Sequence, residues 1–253
     1  MCGLAGIIFG KKRRTKKEIQ HLLDIFTRLL VLSEARGHHA TGVAWVRKDG
    51  TYNLFKGPIP ASQFVQTPRY AEVLAGIDNK TTILMGHTRW RTQGSESNNL
   101  NNHPILLAGS GGAQILTHNG HLTNADVLFR RFRFTRQAEV DSEILAHFAA
   151  NACSSGTWDM SRFQRYLALC RGTMAAVVVA TAIPEEIVLL RKDRPLFLFH
   201  SPRHRATLYA SDRTFVLRAL QEDSDWFERY LRRQTIIVSD HETNGIDRSL
   251  MLN

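Results

Sequence analysis

The stretch MCGLAGIIFG (residues 1–10) holds most of what this sequence has to say. A cysteine follows the first methionine and runs straight into an apolar segment, Leu4, Ala5, Ile7, Ile8 and Phe9, with no polar residue on either face. Such a run reads as a strand covered on both sides, so the thiol sits at the start of a central strand. With Met1 removed, Cys2 would carry a free α-amine as well as a thiol. The thiolate is the nucleophile, but a free thiol has a pKa of about 8.5 and needs a base. An α-amine with a pKa of roughly 7.7–8.0 is about one-third neutral near pH 7.5, so one residue supplies nucleophile and base. Read alone, the catalytic reading is weak, since many chains happen to start Met-Cys and a small hydrophobe at a chain end is the plainer account.

Outward from that strand, Ile19, Leu22, Leu23, Phe26, Leu29 and Leu30 recur at three- and four-residue spacing, predicting a helix from Thr15 to near Gly37. TGVAWVRKDGTYNLFKG (41–57) is a hairpin about Asp49-Gly50. A weaker helix is expected over 62–75, a strand over 81–89, a polar loop over 91–104 and a second hairpin over 105–120. Helices follow at 123–130, capped by Thr123 or Asn124, at 141–152 and at 158–170. Strands return at 172–181, 186–192, 195–200, 206–211 and 235–240, with a short helix at 212–220. Antiparallel strands with helices bunched between them predict one α+β domain over 1–253, two stacked sheets with helices outside.

Composition sets limits. The chain has 253 residues, 43% hydrophobic and 22% charged, enough for a sizeable core. No apolar run reaches the roughly 20 residues of a membrane span, and the start lacks a secretory signal. Three cysteines, Cys2, Cys153 and Cys170, do not make a disulfide framework, so a reducing cytoplasm is expected. Cys153 and Cys170 fall on predicted helices as buried, inert thiols. No cysteine–histidine spacing suits zinc, and no metal or cofactor is expected. The net charge of +10 gathers in KKRRTKK (11–17), RRFRFTR (130–136), 191–205 and RYLRR (229–233). These read either as a solvated basic surface or as contacts for nucleic acid, a nucleotide or an acidic partner. RRFRFTR also fits a strand with Phe132 and Phe134 turned inward.

Six blocks then occur in order: CGLAGI (2–7), RGHHATG (36–42), GHTRW (86–90), NNHPI (101–105), THNGHLTN (117–124) and DSE (141–143). In order and spacing they resemble the class II glutamine amidotransferase domains, the glutaminase halves of glucosamine-6-phosphate synthase and amidophosphoribosyltransferase. The resemblance implies a four-layer αββα sandwich of the N-terminal nucleophile hydrolase type, with L-glutamine as substrate and no cofactor. It implies that Cys2 attacks the glutamine amide, that Asn119 and the Gly120 N–H form the oxyanion hole, and that Arg36 steadies the terminal cysteine. Arg89 would bind the substrate carboxylate and Asp141 its ammonium, while Trp90 and Thr92 belong to the loop that closes over glutamine.

Each assignment has a plainer competitor. Arg89 could be a strand-end surface arginine, Asn119-Gly120 a hairpin turn, Asp141 a helix N-cap and Trp90 a core residue. His87, His103 and His118 could suggest a cysteine–histidine dyad, but the family needs no histidine base, and they are read as structural. His39 stands where the family more commonly carries an acid, leaving that supporting role unfilled. The resemblance places Asn253 near the end of a glutaminase domain, so a separate ammonia-accepting synthase is expected as partner. Two other readings stay open: a free-standing γ-glutamyl amide hydrolase, and a retired binding module with a basic nucleic-acid surface.

Overall fold

A computed structural model describes the backbone of residues 1–109, 111–154, 156–231, 234–240 and 246–251, and side chains as far as 231 apart from 110, 154 and 155. The strands are β1 (Gly3–Phe9), β2 (Ala40–Arg47), β3 (Tyr52–Gly57), β4 (Thr81–Arg89), β5 (Ile105–Gly109), β6 (Gly112–Leu122), β7 (Cys153–Ser154) and β8 (Thr157–Trp158). They continue with β9 (Gly172–Ala180), β10 (Glu186–Lys192), β11 (Phe197–Ser201), β12 (Ala206–Ala210), β13 (Phe227–Arg229), β14 (Gln234–Asp240) and β15 (Ile246–Met251). The helices are α1 (Lys16–Ser33), α2 (Ala61–Phe64), α3 (Pro68–Ala75), α4 (Ala125–Phe132), α5 (Glu143–Ala152), α6 (Met160–Ala168) and α7 (Arg213–Leu220).

Among the described residues, one sheet runs β13-β11-β12-β1-β4-β2-β3 and a second β15-β14-β10-β9-β6-β5, with antiparallel pairing within each. The sheets stack face to face. Leu4 and Ile8 of β1, with Ile83 and Met85 of β4, meet Ile115, Val177 and Val179 of the other sheet. The opposite face of β1, Ala5, Ile7 and Phe9, packs beneath Ile25, Phe26 and Leu29 of α1. Behind the second sheet, Leu116 and Val178 pack against Phe148 of α5 and Phe163 of α6. The layers are therefore helix, sheet, sheet, helix, as expected. Both faces of β1 are covered, which is why its sequence shows no polar alternation. A Cβ on Gly6 would lie 2.1 Å from the Tyr209 ring, so the aromatic fills the inter-sheet space that this glycine leaves.

Thr15 and Glu18 close a reciprocal capping box at the start of α1. The other expectations hold with local corrections. The helix over 62–75 is two pieces, because Pro68 has no N–H to continue the first; Thr67 caps the second by accepting from the Tyr70 N–H at 3.2 Å. The strand reading of RRFRFTR is overturned. α4 runs through Phe132, Arg133 turns the chain with φ of 54°, and Phe132 and Phe134 then stack at 5.6 Å. Neither Thr123 nor Asn124 caps α4 with its side chain: the Asn124 amide spans the Leu169 carbonyl and the Arg171 N–H, each at 2.9 Å. Cys153 lies in β7 and Cys170 just beyond α6, rather than on helices, though both are buried. Strands β13 and β15 were not foreseen. No helix among the described residues is long and apolar enough to cross a membrane.

Candidate active site

β1 and β4 pair antiparallel with Gly3 opposite Thr88, which brings Cys2 alongside Arg89 at the end of the strands. The thiol sits against the next residue of the chain: it accepts from the Trp90 N–H at 3.4 Å and donates to the Trp90 carbonyl at 3.6 Å. Arg36, in the one-turn helix after α1, donates through Nε to the Cys2 carbonyl at 3.0 Å, and its Nη1 lies 3.9 Å from Asp212. Gly37 is extended, and its role is close approach. A Cβ there would lie 2.4 Å from the Arg89 carbonyl carbon and the Trp90 nitrogen. RGH and TRW are thus two halves of one clasp around the thiol.

Arg89 is 3% exposed, so the surface reading does not hold. Its guanidinium donates to Asn102 Oδ1 at 2.8 Å and to the carbonyls of Gln93 and Gly94, which folds the polar loop back over the strand end. Among the described residues it has no carboxylate partner within ion-pair distance, so a planar cation is held ready by neutral acceptors. Asp141 is buried too. It is not the cap of α5, which begins at Glu143 behind Ser142. Its Oδ2 instead accepts from the Leu122 N–H at 2.6 Å and lies 3.6 Å from His121 Nδ1. The charges of Arg89 and Asp141 both act on Cys2, which places guanidinium, carboxylate and thiol in one electrostatic neighbourhood.

Asn119 and Gly120 lie inside β6, paired with Ala175 and Met174, and not in a hairpin turn. Asn119 is 2% exposed, and its Nδ2 has no hydrogen-bond partner among the described residues. A buried amide left unpaired is rare and costly. A Cβ at Gly120 would lie 2.1 Å from the Thr173 carbonyl, so only glycine fits beside it.

The three histidines form a support below the site. His87 and His103 stack at 4.2 Å, His87 Nε2 donates to the His118 carbonyl at 3.0 Å, and His118 Nδ1 meets Ser142 Oγ at 2.8 Å. Burial pushes His87 down to about 3 and His103 well below its ordinary value, so both are neutral at pH 7. The hydrogen-bond partners of the thiol among the described residues are both backbone atoms of Trp90. No cysteine–histidine dyad is present there.

Burial raises the Cys2 thiol, against the opposing pull of the Trp90 hydrogen bond, the terminal amine and Arg89. The amine of Met1 is lowered, first by burial and then by Arg36 and Arg194. Arg194 escaped notice in the sequence, where it is one cation in a basic stretch. It donates to Thr173 Oγ1 at 2.9 Å and to Met1 Sδ at 3.2 Å, which sets it beside the chain start.

Trp90 is 43% exposed and set edge-on to the rings of His38 and His39 at 5.2 and 5.1 Å, so it is not a core residue. His39, at the position without its usual acid, accepts the Arg91 N–H on Nδ1 at 3.1 Å and so braces the same loop. Thr92 is exposed and makes no polar contact with Cys2 among the described residues. The fold therefore gathers Cys2, Arg36, Arg89 and Asp141, uses the backbone of Trp90 rather than its ring, and leaves Thr92 on the outer loop.

No family model matches the chain. It is 27% identical over 257 residues to glutamine–fructose-6-phosphate aminotransferase (isomerizing) of Lactococcus lactis, covering 98% of this chain and 38% of that protein. The enzyme of the same name from Pyrococcus horikoshii is 28% identical over 202 residues, covering 78% of this chain and 30% of the relative. The chain thus spans well under half the length of these relatives. In structure it is similar to glutamine phosphoribosylpyrophosphate amidotransferase of B. subtilis, with a TM-score of 0.72 at 21% identity, covering 100% of this chain and 49% of that one. In sequence the chain thus resembles glutamine–fructose-6-phosphate aminotransferases, and it shares the fold of glutamine phosphoribosylpyrophosphate amidotransferase.

Proposed function

We propose that residues 1–253 form one glutaminase unit, which takes ammonia from L-glutamine through a γ-glutamyl thioester on Cys2 and passes it to a separate acceptor enzyme. The observation that carries this reading is the buried, unpartnered Nδ2 of Asn119 in a strand facing the sheet that holds Cys2. Glutamine binds with its α-carboxylate on Arg89 and its α-ammonium on Asp141. Removal of Met1 frees the amine of Cys2, which takes the thiol proton, directly or through a water. Sulfur attacks the amide carbon, and the oxyanion accepts from Asn119 Nδ2 and the Gly120 N–H, each such donor worth about 10²–10³ in rate. The proton returns to the leaving nitrogen, ammonia departs, and water hydrolyses the thioester. Arg36 holds the Cys2 carbonyl throughout, which fixes the angle of the nucleophile.

Trp90 and Thr92 ride on the loop pinned by Arg89 and close over the bound substrate. The reaction draws only on these side chains. All three cysteines are unpaired, which suits a cytoplasmic setting. The basic surface serves contact with the acceptor enzyme or with a nucleotide that it aminates, and such contact weakens as salt rises.

The test is glutamine turnover by protein whose Met1 has been removed, read as glutamate and ammonia, beside Cys2→Ala and a form with Met1 retained. Turnover is expected only with Cys2 present and Met1 absent. Equal turnover by the Met1-retaining form would overturn the amine's role, and turnover by Cys2→Ala the whole reading. Glutamate formed as fast alone as with any synthase would favour a free-standing hydrolase.

A further inference from the structure

At the far end of β1, away from Cys2, three side chains meet that no reading of the chain order connects. His21 comes from the middle of α1, His204 from the turn between β11 and β12, and Asp223 from the segment after α7. β1 spans roughly 20 Å, so this group lies well outside the site described above.

We propose that His21, His204 and Asp223 form a binding site for a divalent transition-metal ion of the zinc class. The donor atoms of the three all lie within 4.8 Å of one another. Asp223 Oδ2 is 3.0 Å from His21 Nε2 and 3.5 Å from His204 Nε2. Ligands about 2.0–2.1 Å from a tetrahedral ion stand about 3.3 Å apart, which these two separations bracket. Two imidazoles and one carboxylate are a set that zinc, cobalt and nickel accept, with the fourth position left for water.

The second observation concerns His204 itself. It is 7% exposed, and its Nε2, 3.5 Å from Asp223 Oδ2, has no hydrogen-bond partner among the described residues. A buried imidazole nitrogen without a hydrogen bond is open to ligate an ion. Asp223 Oδ1 also accepts from the Asp225 N–H at 3.2 Å. The Trp226 indole donates to Asp223 Oδ2 at 3.1 Å and stacks on the His204 ring at 5.6 Å, fixing the orientation of both.

Two of the nearby cations are paired. Lys12 pairs with Glu18 at 2.7 Å and Arg203 with Asp225 at 2.5 Å. The surrounding cleft, lined also by Thr15 and Lys17, leaves a path in from solvent. A bound ion would tie α1, the β11–β12 turn and the chain after α7 together, so its effect is on stability rather than on the thiol chemistry.

The experiment titrates chelator-stripped full-length protein with Zn²⁺, and with Co²⁺ as a spectroscopic probe, in the Cys2→Ala background so that the reactive thiol cannot compete. One ion per chain is expected, with a rise in Tm and visible d–d bands lacking a thiolate charge-transfer band. His21→Ala, on the more exposed ligand, and Asp223→Asn should each weaken binding at least about tenfold while circular dichroism stays unchanged. Absence of saturable binding, or binding that His21→Ala and Asp223→Asn leave unaltered, would overturn the site.

Discussion

The sulfur of Cys2 is bracketed by the backbone of a single residue: it accepts from the Trp90 N–H at 3.4 Å and donates to the Trp90 carbonyl at 3.6 Å. A thiol held so is aimed by backbone rather than by a neighbouring base, and its reactivity follows from burial. Because burial raises Cys2, less thiolate is present at pH 7 than for a free cysteine, and the fraction grows as pH rises. In the form that retains Met1, labelling of Cys2 by iodoacetamide, read by peptide mass spectrometry, is expected to be slower than that of a free thiol at pH 7 and to climb through pH 9. Cys170, pushed up to about 12 by its burial, should stay unlabelled over the same range. Labelling of Cys2 faster than a free thiol at pH 7 would contradict the burial argument.

On the proposed reading, Asn119 separates catalysis from stability. Its Nδ2 makes no hydrogen bond in the fold, so Asn119→Ala removes no existing Nδ2 bond. Thermal unfolding should therefore shift little, while kcat for glutamine hydrolysis falls about 10²–10³-fold with KM nearly unchanged. A large loss of Tm with a small loss of kcat would show that the amide serves the fold instead.

Gly37→Ala puts a methyl group 2.4 Å from the Arg89 carbonyl carbon and the Trp90 nitrogen, both backbone atoms that cannot turn aside. The strand end must move, carrying the Trp90 N–H away from Cys2. The expected result is at least tenfold lower kcat/KM, with iodoacetamide labelling of Cys2 altered in the same variant. Wild-type values for both would show that the clasp tolerates displacement.

Glu143 is the structural member of the DSE block. Its carboxylate accepts the Gln137 and Ala138 N–H groups, each at 2.7 Å, and lies 3.5 Å from His147. Burial would raise it, yet His147 beside it and the Ala138 and Gln137 N–H groups leave it below its ordinary value. A carboxyl lowered in the folded state contributes stability that is complete above its unfolded pKa of about 4.3 and is lost as pH falls through the lower folded value. Glu143→Gln turns an amide N–H toward a backbone N–H and should cost about 1–3 kcal/mol by urea unfolding at pH 7. The gap between variant and wild type should narrow toward pH 3.

The order of the layers, the long strands and the start of α1 could be read from the chain because they rest on local signals. These are an unbroken apolar run, a capping box, and helical spacing from Leu22 to Leu30. The errors sit where a local signal had two outcomes. Pro68 stops one helix and starts another, Asn124 spends its side chain on α6 instead of on a cap, and Arg133 turns the chain where alternation suggested a strand.

The candidate site came from the resemblance of the six blocks in order rather than from periodicity. The sequence by itself put forward Cys2 as a candidate nucleophile and Arg89 as a candidate carboxylate partner, and its apolar runs determined that two sheets would stack. Tertiary structure alone decided that Trp90 holds the thiol by its backbone, that Asp141 anchors β6 and caps nothing, and that Asn119 keeps a free donor. It also brought His21, His204 and Asp223 together across some two hundred residues, where no spacing could announce a site. The physical reason is common to all of these: periodicity and capping act over a few residues, whereas a functional group is defined by what strand pairing and packing bring opposite it.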